Sequence, residues 1–340
     1  MSDFISLGEI MLHLNPAPYL KFEQASSLMV FYGGAEASVT ISLANFGVDC
    51  AFITKLPDNP FGITAVRKLK SFGVNTENIV FGGNRIGIYF YELGTSIRPS
   101  KVFYDRSNSS IAEADISDFN FDNTFKNSKW FHITGITPAL SDKSILLTEE
   151  CLKKAKSNNL TVSMDLNYRS KLWSKEKAQS VMPELMKYVD ICIGNEEDAE
   201  MALGFKPKNN DILRGKLDTE GYKDIFKRIQ EKFGFRYIAT TLRESYSASD
   251  NGWSALVYNG TDFYESKKYN IHLVDRGGGG DSFAAGLIYC LMNNKSMAEA
   301  AEFAVAASAL KQTILGDYNL VGLNEVLSTM EGNISGRIQR

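Results

Sequence analysis

Asp275-Arg276-Gly277-Gly278-Gly279-Gly280-Asp281-Ser282-Phe283 decides how this chain is read, because Phe283, Ala284, Leu287, Ile288 and Leu291 continue from it at helical spacing. Four glycines therefore stand directly before a helix. Glycine loses more conformational freedom on folding than any other residue, so a run of four implies a backbone that approaches something closely or turns through angles closed to other residues. At a helix N-terminus, free N–H groups and the helix dipole together favour a bound anion. A carboxylate in the same turn would repel that anion, a cost that makes sense if the carboxylate has chemistry to perform. Beside a transferring phosphoryl group, Asp281 could accept the proton of an attacking hydroxyl while the amides stabilise charge on the phosphate oxygens. The same residue also reads as a plain helix cap, and the turn alone does not separate the two.

Working outward, the chain alternates between apolar runs and helical periodicity. Residues 4–7 form a short apolar run ending at Gly8, and Val39, Leu43 and Phe46 recur at helical spacing before Gly47. Residues 51–53 read as a strand; Asn59 and Pro60 open a helix with Ala65, Leu69 and Phe72 on one face. From Trp130 the order is strand 131–134, a helix from Ser141, strand 160–164, a helix carrying Val181, Leu185 and Tyr188, and strand 189–193. A helix with Tyr222, Ile225, Phe226, Ile229 and Phe233 follows, then strand 237–241 and two closing helices, from Gly280 and from Ser296, where Glu299 completes a capping box. Such alternation predicts a parallel sheet covered by helices on both faces. Between Ile79 and Tyr104 the aromatic runs 86–91 and 102–104 lack helical periodicity and predict antiparallel hairpins. The polar stretch 206–218 predicts a long surface loop.

Composition narrows the class of function. With 340 residues, 44% apolar and 23% charged, the chain is long enough for one large α/β domain or two smaller ones and is not globally disordered. A net charge of −3 without a basic run excludes the electrostatic footprint of a nucleic-acid or anionic-membrane binder. Cys50, Cys151, Cys192 and Cys290 form no C-x-x-C pair and only three histidines accompany them, which argues against a zinc site and for a reducing compartment. No apolar stretch reaches about 18 residues and the N-terminus lacks a signal-like pattern. The expectation is a cytoplasmic protein whose partners are small molecules.

In this context the glycine turn resembles the C-terminal signature of the PfkB (ribokinase-like) carbohydrate kinases. That signature is an aspartate, two variable residues, a Gly-Ala-Gly-like triplet and a catalytic aspartate. Asp275, the triplet Gly278, Gly279 and Gly280, and Asp281 match it, the middle glycine replacing the commoner alanine. The resemblance implies Asp281 as proton acceptor, the amides of 278–281 as an anion hole, and Asp275 as a contact to a substrate hydroxyl. A second segment, Gly33-Gly34-Ala35-Glu36-Ala37, resembles the family's Gly-Gly-x-x-x-Asn sugar-binding turn, with Ser38 where asparagine is usual. Alone it equally reads as a glycine turn before a helix. The implied fold is a ribokinase-like three-layer α/β/α domain over residues 1–340, with a mostly parallel sheet and a small β-rich lid from about 9–32 and 86–106. The family's lids often pair, which implies a homo-oligomer. No G-x-x-x-x-G-K-[ST] sequence is present, which argues against a P-loop kinase.

Two further polar segments follow strands, where open α/β sheets bind ligands: Asp165-Leu166-Asn167-Tyr168-Arg169 and Asn195-Glu196-Glu197-Asp198. The second resembles the family's Asn-x-x-Glu motif, which implies phosphate handling by Asn195 and Mg²⁺ handling by Asp198 through water; it also reads as a capped helix start. Continued through Ser170-Lys171-Leu172-Trp173, and together with Gly33-Gly34-Ala35-Glu36-Ala37 and Asp275-Arg276, the first segment resembles the 2-keto-3-deoxygluconate branch of the family. That implies ATP contacts by Asn167, Arg169, Thr241, Gly278 and Gly280, and sugar-acid contacts by Tyr89, Tyr104, Arg106 and Arg169, an arginine fork matching a carboxylate. Arg243 stands where the family has glycine after its penultimate strand. The implied activity is transfer of the γ-phosphate of MgATP to the 6-hydroxyl of the sugar acid, with K⁺ as a further cation in some members. A neutral-sugar kinase of the same mechanism and a catalytically idle binding protein on this fold are the competing readings.

Overall fold

A computed structural model describes residues 2–206 and 219–333. Its centre is a 10-stranded sheet. From Ile79–Phe81 the strand order runs through Cys50–Leu56, Phe4–Leu7, Trp130–Thr134, Thr161–Asp165 and Ile191–Ile193 to Tyr237–Ser245, every neighbouring pair parallel. Asp250–Tyr258 then pairs antiparallel with Tyr237–Ser245, and Phe263–Glu265 and Tyr269–His272 pair antiparallel with Asp250–Tyr258.

Successive side chains of a strand point to opposite faces, and each face has its own core. Ile5, Phe131, Ile133 and Ile238 pack under helices Asp142–Ser157, Lys175–Met186, Glu196–Leu203 and Thr219–Phe233. Phe4, Trp130 and Ala239 pack under Ala35–Asn45, Gly279–Met292, Met297–Lys311 and Leu323–Met330. The helix starts follow the sequence signals. Asn59 Oδ1 accepts from the amides of Phe61 at 3.0 Å and Gly62 at 3.2 Å, Ser141 caps from outside the next helix, and Ser296 and Glu299 form the reciprocal capping box.

A second, 4-stranded sheet runs in the order Met29–Gly33, Met11–Asn15, Ile88–Glu92, Lys101–Asp105. Three expectations need correction. The strand at Ile79 belongs to the large sheet, because Ile79 pairs with Thr54 and packs beside Phe52 and Leu56. The hairpin reading holds for Ile88–Glu92 with Lys101–Asp105, but Met11–Asn15 joins Ile88–Glu92 in parallel. The chain also ends on a third helix, Leu323–Met330, not on two. The long polar stretch lies outside the described residues, apart from Lys206. No described helix is long and apolar enough to cross a membrane.

Candidate active site

The glycine turn sits at the sheet's carboxyl edge and leads into the helix Gly279–Met292, whose N-cap is Gly278 at φ +71°. That backbone conformation is closed to most side chains, and a Cβ there would also collide with the carbonyl oxygen of Asp317. No side chain caps this helix, and the carboxylate of Asp281, in its first turn, makes no hydrogen bond to any described residue. The capping reading of Asp281 is thereby removed. Its carboxylate faces two connected spaces.

The first is a cleft of about 470 Å³ lined by Asp165, Asn167, Arg169, Asn195, Glu196, Glu197, Asp198, Thr241, Arg243, Arg276 and the turn itself. The second, about 300 Å³, lies under the small sheet and is lined by Gly34, Ala35, Tyr89, Tyr91, Tyr104, Arg106 and Asp317 among others. Asn167, Arg169, Arg276, Gly277, Gly278 and Asp281 line both. The place where the spaces meet therefore holds one free carboxylate, two guanidiniums and the open start of a helix.

Electrostatics distinguish this carboxylate. Burial, reinforced by the charges of Glu36 and Asp317 and opposed by Arg169 and Lys311, raises the pKa of Asp281 to about 7. Asp165 is pushed well up by burial and by the charges of Asp198 and Asp281, and burial also raises Asp198. Asn195 Oδ1 accepts from the Asp198 amide at 2.9 Å, while Asp198 accepts from the amides of Tyr168 at 2.9 Å and Asn195 at 3.2 Å. Asn195 is thus both the cap of Glu196–Leu203 and a wall of the cleft. Asn167 holds φ +38°, a conformation asparagine tolerates better than most residues and one found at strained functional turns.

Several residues implied by resemblance lie behind the wall. Glu36 is fully buried: its Oε1 accepts from Thr134 N at 3.0 Å and from the hydroxyls of Thr134 and Thr137 at 2.7 Å each. Ala37 packs in the core with Ile10 and Phe52, and Gly33 presses on Asp317. Of that turn, Gly34 and Ala35 reach the pocket; a side chain on Gly34 would collide with the Glu9 carbonyl. Asp275 is buried, accepts from the amides of Gly277 and Gly316 at 2.9 Å each and so ties the turn down, and it lines neither space. Arg106 lines the pocket, with its Cζ 5.4 Å from the Tyr104 ring centre, but its Nε and Nη2 both donate to Glu9 Oε2. The fork is already occupied by a protein carboxylate.

Comparison with known proteins decides the family. The chain matches the family described as pfkB family carbohydrate kinase over residues 1–319. It belongs to that family. The kinase is 45% identical to a 2-dehydro-3-deoxygluconokinase of Thermotoga maritima of known structure, with a TM-score of 0.94 over 98% of this chain and 100% of that one. It is 29% identical over 336 residues to the 2-dehydro-3-deoxygalactonokinase of Haloferax volcanii, covering 98% of each chain. At 19% identity, an E. coli protein described as a Ribokinase II and solved in complex with ATP and Mg²⁺ shares the fold, with a TM-score of 0.80 over 98% of this chain and 100% of that one.

Two charged residues at the site were not singled out by the sequence. Asp317 lines the second pocket, taking the Tyr89 hydroxyl on one oxygen and His13 Nδ1 on the other. Lys311 is wholly buried beneath the glycine turn. Both lie in a stretch with no motif of its own; a charged residue inside the apolar run of the last long helix was the available signal for Lys311.

Proposed function

We propose that this kinase transfers the γ-phosphate of ATP, as its Mg²⁺ complex, to the 6-hydroxyl of a 2-keto-3-deoxy sugar acid, with 2-keto-3-deoxygluconate as first candidate. The observation that carries this reading is the position of Asp281: unbonded, with a pKa raised to about 7, where a polar cleft and a sugar-sized pocket meet. A general base works best when its pKa lies near the operating pH. In this reading Asp281 takes the proton of the 6-hydroxyl as that oxygen attacks the terminal phosphorus, and the bond to the leaving nucleoside diphosphate breaks. The amides of 278–281 stabilise charge on the transferring oxygens.

The cleft suits a divalent ion held jointly with phosphate. No described cluster of three or more acidic, histidine or cysteine side chains could cage a metal alone, while the hard oxygens of Asp165 and Asp198 stand on the cleft wall. Mg²⁺ characteristically keeps several waters and shares its sites with substrate phosphates. Asp198 and Asp165 would hold it through water, and bound there it would neutralise phosphate charge. On the sugar side, Asp317 and Tyr89 offer acceptor and donor to hydroxyls. Because the fork of Arg106 engages Glu9, Arg169 is the readier partner for the acid's carboxylate; its one side-chain hydrogen bond among the described residues is from Nη1 to the Tyr168 carbonyl at 3.0 Å.

An ADP-release assay over sugars and sugar acids tests the proposal. It should give the highest kcat/KM with a 2-keto-3-deoxyhexonate, the gluco and galacto epimers both included because the relatives are named for each. Higher kcat/KM with fructose, tagatose or ribose, or no ADP release with any acceptor, would overturn it.

A further inference from the structure

Four arginines have carboxylate partners: Arg85 with Asp105, Arg98 with Glu92, Arg106 with Glu9 and Arg228 with Asp224. The three that line the polar cleft have none among the described residues: Arg169, whose Nη1 donates to the Tyr168 carbonyl, and the pair Arg243 and Arg276. Arg243 is exposed on Tyr237–Ser245, opposite Trp253, and makes no side-chain hydrogen bond or ion pair with any described residue. The adjacent carboxylate of Glu244 is taken by Lys268 at 3.3 Å and the Tyr246 hydroxyl at 2.8 Å. Arg276 is half-buried, and its Nη2 is held by neutral oxygens: Ser247 O at 3.2 Å, Ala248 O at 3.4 Å and Asn251 Oδ1 at 3.3 Å. Its Nη1 and Nε have no partner among the described residues. Burial and the neighbouring charge of Arg243 both lower the pKa of Arg276.

Two guanidiniums that repel each other, one desolvated and neither neutralised, are costly unless an anion completes them. Asp165, Glu196, Glu197 and Asp198 line the same cleft, so it carries acidic as well as cationic groups. A single phosphate could satisfy one guanidinium; a chain of phosphates with a divalent ion satisfies the whole arrangement. Arg276 lines the sugar pocket as well as the cleft, and Arg243 lines the cleft without reaching the pocket.

We propose that Arg243 and Arg276 form a two-guanidinium clamp on the donor's phosphate chain, Arg276 on the terminal phosphoryl group and Arg243 on the inner phosphates. The clamp rests on the phosphotransfer reading above. It makes donor affinity depend on phosphate charge more than on the base. Arg276 is on this account a catalytic residue, since it contacts the group that moves.

Calorimetric binding of the β,γ-imido analogue of ATP and of adenosine tests the clamp, using the full chain with Mg²⁺ and the variants Arg243→Gly, Arg276→Met and Arg276→Lys. Losing a hydrogen bond to a charged group of this kind should weaken the analogue about 10- to 100-fold in Arg243→Gly and Arg276→Met. Adenosine should bind as in the wild type, and the salt dependence of analogue binding should flatten in both variants. Arg276→Lys should keep the salt dependence. In turnover, Arg276→Met should lose kcat at unchanged KM for the sugar and regain part of it with added guanidinium. If both ligands weaken equally, or if the analogue binds within about twofold of wild type, where tenfold corresponds to 1.4 kcal/mol, the clamp is wrong. If the wild type binds neither ligand, the kinase reading itself fails, a result separable from failure of the clamp.

Discussion

The imidazole of His13 and the carboxylate of Asp317 are joined at 2.6 Å across 304 residues of sequence. His13 is buried in the small sheet and stacked on Tyr89 at 4.3 Å between ring centres, and its Nε2 has no partner among the described residues. With the Tyr89 hydroxyl on its other oxygen, Asp317 is gripped from two sides while still lining the pocket. Orientation of this kind is worth most where a substrate must be placed within a fraction of an ångström. His13→Phe, which keeps the ring packing and removes the hydrogen bond, should raise KM for the sugar about tenfold and leave KM for ATP unchanged, the size expected for one hydrogen bond to a charged group. Asp317→Asn should raise the same constant at least as much. Steady-state kinetics with each substrate varied in turn decide it: equal effects on both constants would mean a general loss of structure.

The raised pKa of Asp281 has two readouts. Because a base must be ionised to act, kcat/KM should fall below an apparent pKa near 7, and Asp281→Asn should lose about 10²–10⁴ in turnover while still binding both substrates. The second readout is stability. Asp281 ionises at about 7 in the folded chain against an ordinary 3.8, so between those values the folded state holds a proton the unfolded chain has released. Stability therefore falls as pH rises through that window. The melting temperature of Asp281→Asn should match the wild type near pH ~4 and exceed it above pH ~7, read by scanning calorimetry.

How much of this was legible in the sequence depended on whether a residue's role is local. Asp281 and its glycines carry their meaning in a few adjacent positions, and Ser296 with Glu299 announced a helix start. The strands at Asp250–Tyr258, Phe263–Glu265 and Tyr269–His272 went unread, because Gly252, Asn259, Gly260 and Asp262 break the pattern with turn-forming residues and Asp250–Tyr258 is buried on both faces, without alternation. Glu36 looked like a ligand contact from its motif; its inward rotation depends on Thr134 and Thr137, about a hundred positions away. Asp317 and His13 become neighbours only once the fold has joined them.

Arg106 and Glu9 show why the obvious substrate probe would mislead. Both side chains are nearly inaccessible, at 7% and 3% exposure, and Ser109 also donates to Glu9 at 2.5 Å. Arg106→Ala leaves a buried carboxylate without its cation, a loss that typically costs about 3–5 kcal/mol. The variant should therefore melt well below the wild type, and kinetics with any sugar will report that damage. Pairing it with Glu9→Gln should restore much of the stability. The double variant then isolates what Arg106 contributes to the substrate: a KM for the sugar acid within about twofold of wild type, a difference of well under 1.4 kcal/mol, would assign Arg106 to the scaffold.

Lys311 supplies a fixed positive charge beneath the anion hole. Its Nζ donates to the Ile314 carbonyl at 3.1 Å; burial lowers its pKa, and the charges of Asp275, Asp317 and Asp281 oppose that fall. It is one of two cations, with Arg169, that keep the Asp281 pKa from rising further. Lys311→Met has nearly the same shape and no charge, so Asp281 should become a weaker acid and the acid limb of kcat/KM should move to higher pH. A limb that stays in place, or moves to lower pH, would show that the ammonium does not act on Asp281. The same buried ammonium argues that the turn needs no monovalent metal cation from solution. Wild-type turnover should then be equal in potassium and in tetramethylammonium buffers of matched ionic strength, whereas activation by potassium would mean that Lys311 does not fill that role.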